Sequence, residues 1–188
     1  MSKARVLACF AVALALPSCS ANYVTGNDAP VYLILGAVNG GAPMKSDVNP
    51  PSADTVTIDL ANRAKNPATP LTTIVPMAIT IERYDVTFYR SDGHNTQGVD
   101  VPYSISGNVT ATLDVAASGT VPLTIEVVRA QAKLEPPLRN LTKSDSTASV
   151  GGNGLVITAF AQITVYGHTI AGQAVSATGT VQIDFADY

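Results

Sequence analysis

The sequence is poor in cysteine, histidine and tryptophan, and each scarcity narrows the chemistry available to the protein. Among 188 residues there are two Cys, two His and no Trp. Both cysteines, Cys9 and Cys19, lie near the N-terminus, so the rest of the chain cannot form a disulfide with itself. Cysteine-based zinc sites, thiol nucleophiles and redox pairs are therefore excluded, and the fold must depend on its apolar core.

Basic residues are also scarce and scattered. The chain has 11 Lys and Arg against 14 Asp and Glu, and the basic residues form no cluster. Nucleic-acid-binding proteins carry basic patches or stripes, so this distribution argues against a nucleic-acid partner.

Residues that favour long helices are rare in the body of the chain. It contains only three Glu and few Lys, whereas Val, Ile and Thr are abundant. β-branched residues favour the pleated, half-buried surface of a strand. The composition therefore predicts an all-β protein, and no segment after residue 20 has a helical period.

The N-terminus has the layout of an export signal. Lys3 and Arg5 supply positive charge, Val6–Leu16 is apolar, and the run ends at Leu16-Pro17-Ser18-Cys19. Positive charge, a short apolar segment and small residues at the cleavage point define a secretory leader. The last four residues resemble the lipobox of bacterial lipoproteins, with Pro17 where that family usually has a small residue.

This resemblance implies that residues 1–18 are removed and that Cys19 receives the lipid. In that family, Ser at the place of Ser20 implies delivery to the outer membrane of a two-membrane cell. Two alternatives stay open: cleavage by the ordinary signal peptidase near Ala21, or a retained membrane anchor. The apolar run is shorter than the roughly 20 residues that span a bilayer, which makes the anchor the weaker alternative.

Processing at Cys19 would leave a short tether and one domain. Removing Lys3 and Arg5 from the 11 basic side chains leaves 9 against 14 acidic ones, a net charge of −5. Anionic lipid repels such a surface, so membrane attachment is expected through the acyl chains. We interpret 19–28 as the lipidated cysteine and its tether, which reaches at most about 35 Å. Residues 29–188 are expected to form a single domain.

The sequence of residues 29–188 predicts a series of strands separated by turns. One segment is continuously apolar, 31–35, and others alternate apolar and polar residues, which puts one face of each strand in the core. The alternating segments are 56–60, 79–90, 109–115, 121–127, 155–165 and 175–185, with a further short strand at 101–105. Seven or eight strands without helices predict an antiparallel β-sandwich of the immunoglobulin-like kind.

Two phase slips and several connections complete this interpretation. The apolar phase of 79–90 slips by one residue near Glu82-Arg83, which predicts a β-bulge. A second slip, after Val127, predicts a strand that bends from one sheet to the other and ends at Pro136-Pro137. Residues 166–168 are interpreted as a turn, and 39–53, 63–77 and 135–154 as long loops.

The two histidines are the first candidates for catalysis. His94 and His168 both lie in polar, turn-like sequence. Neither accompanies a G-x-S-x-G nucleophile elbow, and two histidines this far apart make a poor zinc site without further ligands. We interpret both as exposed loop residues and expect no catalytic residue, cofactor site or metal site.

Acidic residues and tyrosines supply the remaining candidates. Asp92, Asn95 and Asp100 share the loop 91–100, and such oxygen ligands suit Ca²⁺, although the spacing is not that of an EF-hand and the same residues favour turns.

Asp47 and Asp54 are interpreted as lone loop acids. The glutamates (Glu82, Glu126 and Glu135) are too dispersed to predict a glycosidase pair. Tyr89 is expected to face outward beside Arg90, as a candidate contact patch.

Together these observations predict a cell-envelope lipoprotein that acts as a non-catalytic binding or structural module. An edge strand or a loop patch would contact an envelope protein or a glycan. The alternative is a hydrolase or metal-dependent enzyme built on the long loops.

Overall fold

A computed structural model of the chain describes residues 28–66, 77–115, 119–142 and 155–188. The predicted leader, Cys19 and all of the tether before Asp28 lie outside the described residues. So do the greater parts of the predicted loops 63–77 and 135–154.

Eight strands account for most of the described residues. They are β1 (Val31–Val38), β2 (Met44–Asp47), β3 (Asp54–Ala64), β4 (Ile79–Tyr89), β5 (Ile105–Leu113), β6 (Val121–Val128), β7 (Ile157–Thr169) and β8 (Ala174–Ala186). Within the described residues, short helical turns lie between the strands: 3₁₀ turns at Asn39–Gly41 and Leu138–Leu141, and an α-helical turn at Ala130–Lys133. None of the helices in these parts of the chain is long and apolar enough to cross a membrane.

The strands form two sheets, with the orders β1-β3-β6 and β2-β8-β7-β4-β5. Every pairing is antiparallel except that of β2 with β8, which is parallel. The buried side chains of both sheets form one continuous hydrophobic cluster. The prediction of an all-β, two-sheet sandwich is therefore confirmed.

Alternation along β7 shows how the sequence produces this arrangement. Ala159, Ala161, Ile163 and Val165 are all fully buried, while the residues between them face outward. The inward side chains pack against the other sheet, and the outward ones form the middle of the exposed face of the five-stranded sheet. We call this exposed surface the outer face.

The predicted bulge is present in β4. The pairing register shifts between Ile81 and Arg83 against both neighbours, β5 and β7. Glu82 is the extra residue, and both Glu82 and Arg83 are exposed. The bulge returns Tyr84, Val86 and Phe88 to the core, as the phase slip predicted.

Two of the predicted boundaries are wrong. Residues 166–168 continue β7 rather than turning the chain, because Tyr166 and His168 pair with Ser176 and Ala174 of β8. The segment interpreted as a loop at 39–53 contains β2, whose four residues have little hydrophobic alternation and are held by β8.

The predicted passage of a strand from one sheet to the other after Val127 is also wrong. β6 ends at Val128, and the apolar residues that follow belong to the helical turn Ala130–Lys133. A short apolar run with alternating phase fits a helical turn as well as a strand, so periodicity alone did not separate them. The predicted short strand at 101–105 is only an isolated bridge between Val101 and Gln97, before β5 begins.

Candidate functional site

The bulge in β4 brings together polar residues that are distant in sequence. It opens a groove of about 490 Å³ on the outer face. The side chains that carry its chemistry are Glu82, Arg83, Asn108, Tyr166 and His168. We call this site the bulge groove.

Two charged contacts organise the bulge groove. The Nδ1 atom of His168 lies 3.2 Å from Oε1 of Glu82. The guanidinium carbon of Arg83 lies 4.4 Å from the centre of the Tyr166 ring, a cation–π geometry, and one guanidinium nitrogen lies 3.9 Å from the Asp85 carboxylate. The Glu82 and Asp85 carboxylates and the Arg83 guanidinium thus each have a partner on the surface.

Gly167 allows β7 to approach β4 closely at the bulge. A Cβ atom on Gly167 would overlap the carbonyl oxygen of Thr80, which belongs to the β4 backbone and cannot move away alone. A glycine is therefore required between Tyr166 and His168 for this strand pairing. The close approach keeps these two side chains beside the bulge.

Several polar groups in the groove have spare hydrogen-bonding capacity. Within the described residues, the Asn108 amide, the Tyr166 hydroxyl and Nε2 of His168 make no hydrogen bond. Both donors and acceptors are present among them. The groove can therefore bind a polar ligand through several hydrogen bonds while an aromatic ring packs beside it.

Catalysis would need a further group. A histidine beside a carboxylate is half of a nucleophile-activating arrangement, in which the histidine takes a proton from a hydroxyl or thiol. No hydroxyl is hydrogen-bonded to His168 among the residues that the structure describes.

His168 differs from its prediction, whereas His94 agrees with it. His168 is a strand residue paired across the sheet with Thr80, and its side chain is 38% exposed. His94 lies in the loop after β4 with a side chain that is 70% exposed, and its Nδ1 is 3.4 Å from Asp92. The sequence misplaced His168 because Tyr166-Gly167-His168 resembles a turn when its strand partners are unknown.

In the loop 91–100, the three candidate calcium ligands are used by the loop itself. Asp92 accepts hydrogen bonds from the Arg90 guanidinium and the His94 amide, Asn95 Oδ1 accepts from the Arg90 amide, and Asp100 accepts from the Thr96 amide. In the described parts of the chain, no group of three His, Cys, Asp or Glu side chains is suited to a metal ion.

The electrostatics of Asp92 reflect the same contacts. Hydrogen bonds from the Arg90 side chain first, and then from the His94 backbone, lower the pKa of Asp92 to about 2. Asp92 is therefore a carboxylate at any physiological pH. Its charge is already compensated by Arg90, which lessens its value as a ligand for a cation.

Tyr89 faces outward as expected, but its main contact is aromatic. Its ring stacks on Phe160 of β7, with ring centres 5.3 Å apart and planes 22° apart. Tyr89 stays 37% exposed, so the pair forms an aromatic surface on the outer face. We call Tyr89 and Phe160 the aromatic stack. Arg90, its predicted companion, is paired with Asp92 instead.

A second polar cluster is buried and was missed in the sequence. Lys133 is fully enclosed, with Nζ 2.8 Å from Oδ2 of Asp54 and 2.7 Å from the backbone carbonyl of Asp47. The hydroxyl of Ser46 donates to the same Asp54 oxygen at 2.6 Å. The two aspartates interpreted as lone loop acids therefore anchor a buried lysine. We call Ser46, Asp54 and Lys133 the buried cluster.

The other two glutamates do not join either cluster. Glu135 accepts a hydrogen bond from Gln131 one turn earlier, and Glu126 lies on the neighbouring sheet, paired with Thr55.

Comparison with known proteins does not assign this site. The chain matches no protein-family model and no curated protein sequence.

Proposed function

We propose that this protein is a membrane-anchored cell-envelope lipoprotein that binds a ligand non-catalytically at the bulge groove. The observation that carries this proposal is the set of unpaired polar groups around Tyr166, on a rigid sheet. A site built on strands holds its side chains more precisely than one built on loops. Glu82 and Arg83 lie at the bulge, where strands commonly re-aim side chains beside functional sites.

The anchor is supported by the sequence from Lys3 to Cys19. Asp28, the first described residue, accepts a hydrogen bond from Gln173 in the turn between β7 and β8. His168 pairs with Ala174, directly after that turn. Asp28 and the bulge groove therefore lie at the same end of the sandwich. The anchored domain would face the periplasm or the cell exterior. Ser20 favours the outer membrane.

We also infer that the sandwich is immunoglobulin-like. If β1, β3, β4, β5, β6, β7 and β8 are taken as strands A, B, C, C′, E, F and G, the two sheets read A-B-E and G-F-C-C′. These are the neighbours that immunoglobulin-like sheets have. The conserved inter-sheet disulfide of antibody domains has no counterpart, since residues 20–188 contain no cysteine.

The alternative, a hydrolase, is favoured by one observation, the contact between His168 and Glu82. Turnover of an ester or glycoside substrate by the purified protein, lost in His168→Ala, would support the enzyme and contradict the binding module.

The anchor is tested by labelling cells with a radioactive fatty acid. We expect the wild-type protein to take up label and Cys19→Ser to take up none, because the thioether to lipid forms on that sulfur. Label that persists in Cys19→Ser would contradict the anchor.

The groove is tested by site-specific photo-cross-linking in the cells that express the protein. A photoreactive residue at Asn108 lies in the groove, and one at Thr55 lies on the opposite sheet as the matched control. We expect an adduct from position 108 only, and its loss when Arg83→Ala is added. Equal adducts from both positions, or none from either, would contradict a binding site at the groove.

A further inference from the structure

The outer face carries a second aromatic surface on the same strand as the bulge groove. Phe160 of the aromatic stack and Tyr166 of the groove are both half-buried, outward residues of β7. They lie six positions apart, which corresponds to about 20 Å along a strand. One extended molecule lying along β7 would contact both rings.

The surface between the two aromatic positions consists of hydroxyl and amide groups, together with the carboxylate of Asp85, which pairs with Thr164 across the sheet. Gln162 of β7 lies between Thr87 of β4 and Thr180 of β8. Within the described residues, none of these three side chains makes a hydrogen bond. The next row toward the groove is Thr164 and Thr178, whose hydroxyls lie 3.0 Å apart. This strip can exchange hydrogen bonds with a ligand rich in hydroxyls.

The charges at the groove end of this strip oppose one another. Glu82 lies against His168, and Asp85 lies beside Arg83 and accepts a hydrogen bond from Ser106. The Glu82 and Asp85 carboxylates would repel a polyanion, and the Arg83 guanidinium would repel a polycation. These mixed signs favour an uncharged ligand.

A peptide fits this surface less well. Extended peptides bind β-proteins chiefly by adding a strand to a sheet edge, where backbone groups are unpaired. β7 is the central strand of its sheet and pairs along its length with both β4 and β8. Its backbone groups are therefore occupied, and only side chains are offered to a ligand.

We propose that the ligand is an uncharged glycan chain that lies along β7, from the bulge groove to the aromatic stack. This inference rests on the proposed function and names the class of its ligand. Sugar rings present apolar faces, which pack on Tyr166 and Phe160, and hydroxyl edges, which hydrogen-bond to Gln162 and its neighbours.

The test is isothermal titration calorimetry, which measures the dissociation constant of each of several defined oligosaccharides for the full mature protein in detergent. The neutral probes are the hexasaccharides of β-1,4-linked N-acetylglucosamine, β-1,4-linked glucose and α-1,4-linked glucose. The charged probes are a galacturonic acid hexasaccharide and a glucosamine hexasaccharide. We expect at least one neutral hexasaccharide to bind more tightly than either charged one. Its disaccharide should bind at least about tenfold more weakly, since it cannot reach both rings and loses a well-packed aromatic contact.

Three variants locate the binding. Phe160→Ala and Gln162→Ala should each weaken binding of the hexasaccharide, with about tenfold expected for the ring. Tyr32→Ala is the matched control, because Tyr32 is 40% exposed on the other sheet and should bind as the wild type does. Gln162→Ala leaves the aromatic stack intact, so it keeps the test valid if Phe160→Ala unfolds.

The following outcomes would overturn the glycan proposal: no neutral hexasaccharide binds, a charged probe binds more tightly, or Gln162→Ala and Tyr32→Ala weaken binding equally. If position 108 still forms an Arg83-dependent adduct with a protein, the groove stands as a binding site and only the glycan is wrong. If position 108 forms no adduct and no oligosaccharide binds, both proposals fail.

Discussion

The buried cluster and the bulge groove are built from similar groups but have different environments. Each places a cationic or protonatable side chain against a carboxylate: Lys133 against Asp54, and His168 against Glu82. The Lys133 side chain is fully buried and that of Asp54 is 19% exposed, whereas His168 and Glu82 are 38% and 61% exposed. Burial therefore separates a pair that can support the fold from a pair that can meet a ligand.

The surroundings of the two pairs agree with this difference. Lys133 contacts both Asp54 and a backbone carbonyl, and Ser46 adds a second donor to the carboxylate. A buried charge needs such partners, because leaving it unpaired is costly. The bulge groove instead keeps unpaired donors and acceptors, which cost little where water reaches them and become useful when a ligand replaces the water.

The largest expected effect comes from removing the buried cation. Lys133→Met should lower the free energy of unfolding by about 3 kcal/mol, because it leaves the Asp54 carboxylate without its main partner. The lower end of the usual range is expected since Asp54 is partly exposed and water can reach it. Urea denaturation of wild type and variant measures the difference.

Lys45→Met is the control for this prediction. Lys45 is exposed, 5.2 Å from the ring centre of Tyr188, and its loss should change stability by no more than about 0.5 kcal/mol. Equal losses of stability from the two lysine substitutions would show that burying Lys133 does not make its contacts more important to the fold than those of an exposed lysine. Adding Asp54→Asn to Lys133→Met should recover part of the loss, because the uncompensated charge is gone.

A smaller effect is expected from the exposed pair. Glu82→Gln should change the free energy of unfolding by less than about 1 kcal/mol, since exposed ion pairs contribute little. The same denaturation experiment measures it, with Thr87→Ala on the same strand as the control. A loss as large as that of Lys133→Met would show that the bulge groove supports the fold, contrary to the comparison.

The smallest effect on stability is expected at Asp92, where the pKa is the sensitive readout. Hydrogen bonds from the Arg90 side chain, and then from the His94 backbone, lower this pKa from 3.8 to about 2, so Arg90→Ala should raise it part of the way toward 3.8. Because the folded-state pKa is lowered, the contribution of the contact is present above about pH 4 and is lost as pH falls toward 2. Carboxyl carbon NMR titration follows Asp92 directly, and Gln97→Ala, in the same loop, should leave its midpoint unchanged.

The strand pattern was predictable where side chains alternate strictly. The segments 56–60 and 175–185 lie within β3 and β8, 109–115 overlaps the second half of β5, and the slip at Glu82-Arg83 located the bulge. β2 was not predictable, because a four-residue strand has too little alternation and depends on its parallel pairing with β8. Lys133 was not predictable either, since nothing local distinguishes a buried lysine from an exposed one.

The sequence alone determined the all-β class, the two-sided strands and a core that no disulfide assists, because these follow from composition and from a two-residue period that acts locally. Only the tertiary structure decided which polar residues meet. Glu82 reaches His168, and Lys133 reaches Asp54, through strand register and sheet order. Those depend on packing between segments far apart in the chain, and a one-residue change of register would separate each pair.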